Sequence, residues 1–371
     1  MAATGCSDDQ LPGETTLGPS GEPSVLELGQ RLIPDNLNID LVTLSSVERD
    51  LVFKGSYLVN GVGSCSGCHN SEAGYLAGGR ECNASFLPPA AGGHTSVFVR
   101  NLTPDPETGL KLTESEFITA MKTGKDFHDS GDDGNQRMLF MPVQPYRFLL
   151  DDDLKAIYAF LRSIPPVRNE FRMEFVPPFP FPPYTAPAIS QPGTDGDGVE
   201  RGLQIPRFFS SGPEADAFVL HFENYIGSLS SELRARVGRG SYLVNAMADC
   251  GSCHTDGVPD GNPDNGLLPG TIEVNAATYL GGGVNFAGRF RLPFDVFSRN
   301  LTPHPDTGLE LTEEQFIQTL RFGADFRRPT GSLRISPHFP AQFRLTLEDA
   351  RAIYAFLKSI PPVENEIQIV P

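Results

Sequence analysis

The chain has 371 residues, a formal net charge of −17 and 39% hydrophobic residues. That length suffices for two or three domains, each able to bury a core. No run of about twenty apolar residues marks a membrane span, and so acidic a surface argues against nucleic acid as a partner while suiting a basic or neutral protein steered in by charge.

Residues 1–44 are rich in Gly, Pro and Ser and read as a tail or strap. Within them Cys6 follows Ala3-Thr4-Gly5 and precedes Ser7-Asp8-Asp9. That pattern resembles the end of a bacterial lipoprotein signal, which makes Cys6 a candidate lipid-bearing residue attaching the chain to a membrane; the charged and apolar segments of such a signal do not precede it in the numbered chain. From Ser45, with Glu48 at capping-box spacing, an apolar-periodic helix runs through Gly55-Ser56-Tyr57-Leu58-Val59-Asn60 to Cys65-Ser66-Gly67-Cys68-His69.

Cys-x-x-Cys-His is the attachment signature of a c-type haem. Two thiols separated by two residues reach the two vinyl groups of one porphyrin and form thioethers, and the next histidine is held under the ring, where its imidazole binds iron. The rival readings explain less. A redox dithiol needs a βαβ context and gives the histidine no task. A structural zinc site brings two ligand pairs close together in sequence, and no second pair lies nearby.

Tyr75-Leu76-Ala77-Gly78-Gly79 and Arg100-Asn101-Leu102-Thr103-Pro104 follow, with Cys82 between them. Cys82 is either a buried thiol or a partner for an unacylated Cys6. Thr113 and Glu116 open a middle helix. A closing helix carries Leu154, Ile157, Tyr158 and Leu161 on one face and stops at Pro165-Pro166. Residues 168–227 contain Phe175-Val176-Pro177-Pro178-Phe179-Pro180-Phe181-Pro182-Pro183. This reads as a semi-rigid Pro-rich linker whose phenylalanines pack on the domains.

The order then repeats. Gly240-Ser241-Tyr242-Leu243-Val244-Asn245 precedes Cys250-Gly251-Ser252-Cys253-His254; Tyr279-Leu280-Gly281-Gly282-Gly283, Arg299-Asn300-Leu301-Thr302-Pro303, Thr312 with Gln315, and Ala352-Ile353-Tyr354-Ala355-Phe356-Leu357 follow, and Ser-Ile-Pro-Pro-Val ends both copies. The duplication predicts a mostly α architecture of two tandem class I cytochrome c-like domains, at 45–167 and 228–363, each wrapping one covalently bound haem, with a tail at 364–371. An insertion holding Asp260, Asn262 and Asp264 has the alternation of a calcium loop. Its Gly266 falls one place late and no Glu takes the twelfth position, so an acidic surface loop is the preferred reading.

Cys-x-x-Cys-His, Tyr-Leu-x-Gly-Gly, Asn-Leu-Thr-Pro-x-x-x-Thr-Gly, Met-Pro before a Tyr, and Ala-Ile-Tyr-Ala-Phe-Leu-x-Ser-Ile-Pro-Pro-Val together resemble the cytochrome subunits of bacterial membrane-bound alcohol, gluconate and related sugar dehydrogenases. The resemblance covers both repeats but neither the tail nor the linker. Those subunits often carry three haem domains, and this chain has two motifs. The resemblance implies an electron-transfer role beside a dehydrogenase or a terminal acceptor, with Cys65, Cys68, Cys250 and Cys253 tethering two haems and His69 and His254 as proximal ligands. It also implies Met141, in Met141-Pro142, as sixth ligand of the first iron, with Met138 the competitor. A Met thioether there raises the potential and closes the site.

The second half has no Met after His254. Matching Ser336-Pro337 to Met141-Pro142 brings His338 forward as sixth ligand of the second iron, with an open site as the rival and His304 a further contender. Met247 reads as a packing residue, and His94, His128 and His221 as surface residues. Haem attachment of this type implies an extracytoplasmic compartment, the periplasm or cell surface. The expected function is single-electron transfer between extracytoplasmic redox partners, an electron carrier rather than an enzyme. The alternatives are a peroxidase-like haem enzyme at an open second site, a subunit of a dehydrogenase complex, and a homo-oligomeric assembly.

Overall fold

The computed structural model describes residues 21–83, 96–127, 138, 141, 143–170, 197–209, 212–256, 274–285, 295–324, 326 and 344–367. These are mostly helical, with one two-stranded antiparallel ribbon. Local chemistry sets the helix starts. α1 (Val25–Arg31) and α2 (Ser46–Ser56) each begin with a capping box, Ser24 with Glu27 and Ser45 with Glu48, in which two otherwise orphaned N–H groups are satisfied reciprocally. After α2 the backbone widens into a π-helical turn, Tyr57–Val62, where the Gly63 N–H donates to the Leu58 carbonyl at 2.8 Å. The short α3 (Ser66–His69) follows. Strands β1 (Glu81–Asn83) and β2 (Ser96–Phe98) pair with Cys82 opposite Val97. α4 (Glu114–Thr123) is capped by Thr113 and Glu116 and ends at Gly124, whose φ of 73° only glycine adopts without strain. α5 (Val143–Tyr146) and α6 (Asp151–Ser163) complete the first half.

The second half runs α7 (Val199–Gln204), a 3₁₀ turn (Ile205–Phe208), α8 (Pro213–Gly227), α9 (Ser231–Tyr242), a π-helical turn (Leu243–Met247), α10 (Cys250–His254), α11 (Glu313–Phe322) and α12 (Leu347–Leu357). Two spans read as connecting chain contain helices: α1 lies in the tail, and α7 and α8 in the Pro-rich linker. α1 and α7 are only seven and six residues long, too short for a periodic signal. α8 buries Ala215, Phe218, Phe222 and Ile226 along one face, a periodicity present in the sequence but overshadowed by the adjoining proline run.

The helix crossings show the duplication physically. A Cβ on Gly55 would lie 2.0 Å from the Ala156 carbonyl oxygen, and one on Gly240 1.9 Å from that of Ala352. α2 therefore packs backbone-to-backbone on α6, and α9 on α12. The same holds one helix earlier: Gly29 meets Phe53 O at 1.9 Å and Gly202 meets Gly238 O at 1.8 Å. α1 on α2 thus matches α7 on α9, and the repeated unit includes these preceding helices. The two halves share one apolar core. They are stitched by Tyr57 to Asp349 and Tyr242 to Asp153.

Candidate cofactor site

Both Cys-x-x-Cys-His motifs sit in the same local frame. Each follows a π-helical turn and then a non-glycine residue in the left-handed region, Ser64 at φ 47° and Asp249 at φ 51°, strain of the kind that collects at functional sites. This sharp reversal starts the next helical turn at the first cysteine. Cys65, Cys68, Cys250 and Cys253 are not joined in disulfides. Burial pushes the Cys65 and Cys250 thiols up to about 12. A catalytic dithiol of the thioredoxin kind requires the opposite, a lowered thiol pKa.

The histidines are held alike. His69 Nδ1 lies 2.8 Å from the Arg100 carbonyl, and His254 Nδ1 lies 2.7 Å from that of Arg299. A carbonyl only accepts, so Nδ1 carries the proton in each case and Nε2 keeps its lone pair. This is the second-shell bond that fixes the tautomer and orientation of a metal-binding imidazole. Burial lowers the pKa of His69 to about 4, against the opposing pull of the Arg100 carbonyl, and His254 is lowered for the same reason. Both rings are therefore neutral at pH 7, the form that ligates iron.

The other repeated motifs build this frame. The Gly78 N–H donates to the His69 carbonyl at 2.8 Å, and that of Gly282 to the His254 carbonyl at 2.7 Å. Tyr75 donates to Asn60 at 2.5 Å, and Tyr279 donates to Asn245. The Asn-Leu-Thr-Pro loops, which carry the carbonyls facing the histidines, dock on the chain after each closing helix: Asn101 and Asn300 donate to the carbonyls of Val167 and Val363 at 2.8 and 2.7 Å. Asn169 and Asn365, just beyond, donate back to the Gly78 and Gly282 carbonyls. The Arg-Asn-Leu-Thr-Pro and Tyr-Leu-x-Gly-Gly repeats thus position the imidazoles, a role the sequence did not disclose.

His304 proves to have a local task. In the first half Asp105 Oδ1 accepts from the Thr108 N–H at 2.7 Å and its hydroxyl at 2.8 Å, closing the turn. His304 Nδ1 takes that place, accepting from the Thr307 N–H at 3.2 Å. Its proton is then on Nε2, which leaves no lone pair there for iron.

Met141 is half-buried against the core. The Met138 N–H donates to the Gly124 carbonyl at 2.7 Å. Met247 is buried, as expected of a packing residue, and His221 is exposed on α8. Cys6, His94, His128, the Asp260-Asn262-Asp264 insertion and His338 lie outside the described residues. The paired hydrogen bonds match Thr346 with Leu150 and Asp349 with Asp153. Among the described residues, no three His, Cys, Asp or Glu side chains gather as a metal cluster of the zinc type, and no helix is long and apolar enough to cross a membrane.

Four unbridged thiols in two x-x-spaced pairs, each followed by a neutral imidazole with Nε2 available, are the donor set that haem c requires, and the residues fit it. No protein-family model matches the chain. Individual proteins do. The chain is 28% identical over 321 residues to the cytochrome c subunit of a quinone alcohol dehydrogenase of Gluconobacter oxydans (strain 621H), covering 84% of this chain and 55% of that one. It is 26% identical over 337 residues to the fructose dehydrogenase cytochrome subunit of Gluconobacter japonicus, covering 88% and 56%.

Its relatives include cytochrome c subunits of dehydrogenases.

A diheme cytochrome c-type protein of Cereibacter sphaeroides is 25% identical over 311 residues, covering 81% of this chain and 83% of its own length. The chain spans about half the length of the dehydrogenase subunits it matches.

Proposed function

We propose that the chain is a dihaem c-type cytochrome, built as two tandem haem domains, that passes single electrons outside the cytoplasm as the redox partner of a dehydrogenase. The observation that carries this reading is the identical treatment of His69 and His254. Each follows two cysteines that are not joined in a disulfide, and each has Nδ1 tied to an Arg carbonyl so that Nε2 is the available donor. Haem, when bound, supplies a one-electron iron couple. The chain's own residues tether, orient and bury it: Cys65, Cys68, Cys250 and Cys253 by covalent attachment, His69 and His254 as proximal ligands.

Met141 is the proposed sixth ligand of the first iron and His338 that of the second, which makes the two sites unequal. Cys6 is the proposed point of lipid attachment. The dehydrogenase partner is supported by the names of the relatives; a peroxidase reading draws nothing from them. The acidic surface suits a partner of basic or neutral charge.

Intact-mass measurement on protein matured in a host that attaches haem c tests the reading. Two haem additions are expected, and a bare polypeptide mass overturns it. For the second site, low-temperature electron spin resonance is expected to show low-spin ferric iron that turns high-spin in His338→Ala. A high-spin signal already present in the parent, and unchanged by the substitution, rejects His338.

A further inference from the structure

The two motifs meet across the seam between the halves. A Cβ on Gly63, two residues before Cys65, would lie 2.4 Å from Met247 Cε and 3.5 Å from Cys65 Sγ. Met247, three residues before Cys250, therefore packs at the entrance to the other half's motif. In the opposite direction, Pro145, Arg147 and Phe148 of the first half line one cleft together with Asp249 and with Gly251 and Ser252 of the second motif. Arg147 is 5% exposed, and its guanidinium stacks 4.5 Å from the Phe148 ring centre. Between them, Tyr146 is buried. Arg147 is the cation of this cleft, beside Gly251 and Ser252 of the second motif.

We infer that Arg147, supplied by the first half, belongs to the second cofactor site and raises its reduction potential. The inference rests on the haem reading above. A fixed cation in a cleft of low dielectric favours the less positive, reduced state of an adjacent iron, and burial strengthens its field. Asp249, in the same cleft, opposes it. Arg147 thus acts against the lead that the Met141 thioether gives the first site and narrows the difference in potential between the two.

Redox titration of the matured full chain, followed in the visible bands beside an intact-mass haem count, tests this. One midpoint is assigned to the second site by its loss in a Cys250→Ala/Cys253→Ala chain. In Arg147→Gln that midpoint is expected to fall by at least a tenfold change in the reduced-to-oxidised ratio, 59 mV for one electron, with the other moving far less. Arg147→Lys, which keeps the charge, is expected to restore it, and Asp249→Asn to move it upward. An unmoved second midpoint, equal movement of both midpoints, or Arg147→Lys behaving as Arg147→Gln overturns the assignment while the haem reading stands. If Arg147→Gln does not mature, Asp249→Asn decides alone, and a second midpoint unchanged in it overturns the assignment. A parent chain without two haem additions overturns the reading underneath instead.

Discussion

The Tyr57 hydroxyl, at the end of the helix leading to the first motif, donates a 2.5 Å hydrogen bond to Asp349 at the start of the last helix of the other half. The relationship is returned: Tyr242, at the matching place in the second half, donates at 2.5 Å to Asp153 in the first. Each carboxylate also holds a cation, Arg239 on Asp349 at 2.8 Å and Lys54 on Asp153 at 2.5 Å. Both tyrosines are fully buried, so the seam is a reciprocal pair of desolvated, charge-assisted bonds. Bonds of this kind are directional, and they fix how one motif faces the other as well as how tightly the halves adhere.

Tyr57→Phe and Tyr242→Phe are each expected to lower the unfolding free energy by about 1.5–3 kcal/mol, the range for a hydrogen bond to a charged group. Because Arg239 feels both Asp349 and Asp153, the double variant is expected to depart from additivity by roughly 0.5–3 kcal/mol. Denaturant unfolding of the four chains measures this. Strict additivity, with the halves unfolding in separate transitions, would show that the seam does not couple them.

Acid should loosen the same seam. Burial pushes the Asp349 carboxyl up, but Arg239 and the Tyr57 hydroxyl outweigh that and hold it below the usual value. A carboxyl with a depressed folded pKa contributes stability that is complete above the unfolded value, about 3.9, and is lost as pH falls through the folded one. Asp349→Asn is expected to cost about 3–5 kcal/mol at pH 7, since it leaves Arg239 buried without its counter-charge. The cost should shrink below roughly pH 4. Stability against pH for the two chains checks the sign; a penalty that grows in acid contradicts it.

The loop glycines beside the histidines should tolerate nothing larger. Gly78 and Gly282 adopt φ of 66° and 74°, and a Cβ there would fall 2.4 Å and 2.5 Å from the carbonyl carbons of Arg100 and Arg299. Those are the carbonyls that orient His69 and His254. Gly78→Ala and Gly282→Ala are each expected to cost roughly 1–3 kcal/mol in backbone strain and to reduce haem content in the matured protein. Gly67→Ala, where a Cβ meets nothing within 4 Å, serves as the control and should stay within about 0.5 kcal/mol of the parent. Thermal unfolding with a pyridine haem assay reads both effects.

At His304, replacement by Asp should reproduce the turn closed by Asp105 in the first half. His304→Asp is expected to keep both stability and the visible spectrum, while His304→Ala loses about 0.5–1.5 kcal/mol with the missing acceptor. A changed haem band in either variant would restore His304 as a ligand.

Cys-x-x-Cys-His, the duplication and the capping boxes at Ser45, Thr113 and Thr312 were legible because each is a local rule. The spacing of two thiols, or a hydroxyl three residues ahead of a carboxylate or amide, acts within a few residues of chain and leaves its mark there. α1 carries the Ser24–Glu27 spacing but, like α7, no periodic face, since a helix of two turns is stabilised chiefly by what it packs on, here a glycine on a neighbouring backbone. The tasks of Arg100, Gly78, Asn101 and their counterparts were invisible for a related reason: they act through backbone carbonyls and N–H groups, which every residue possesses. The sequence by itself determined the kind of chemistry, two thiol pairs each with a histidine. Only the tertiary structure decided that Tyr57 meets Asp349, that Met247 packs beside Gly63 and that Arg147 lines the cleft of the second motif. Those contacts join residues roughly a hundred or more positions apart, and no periodicity or spacing encodes which distant surfaces lose their water together.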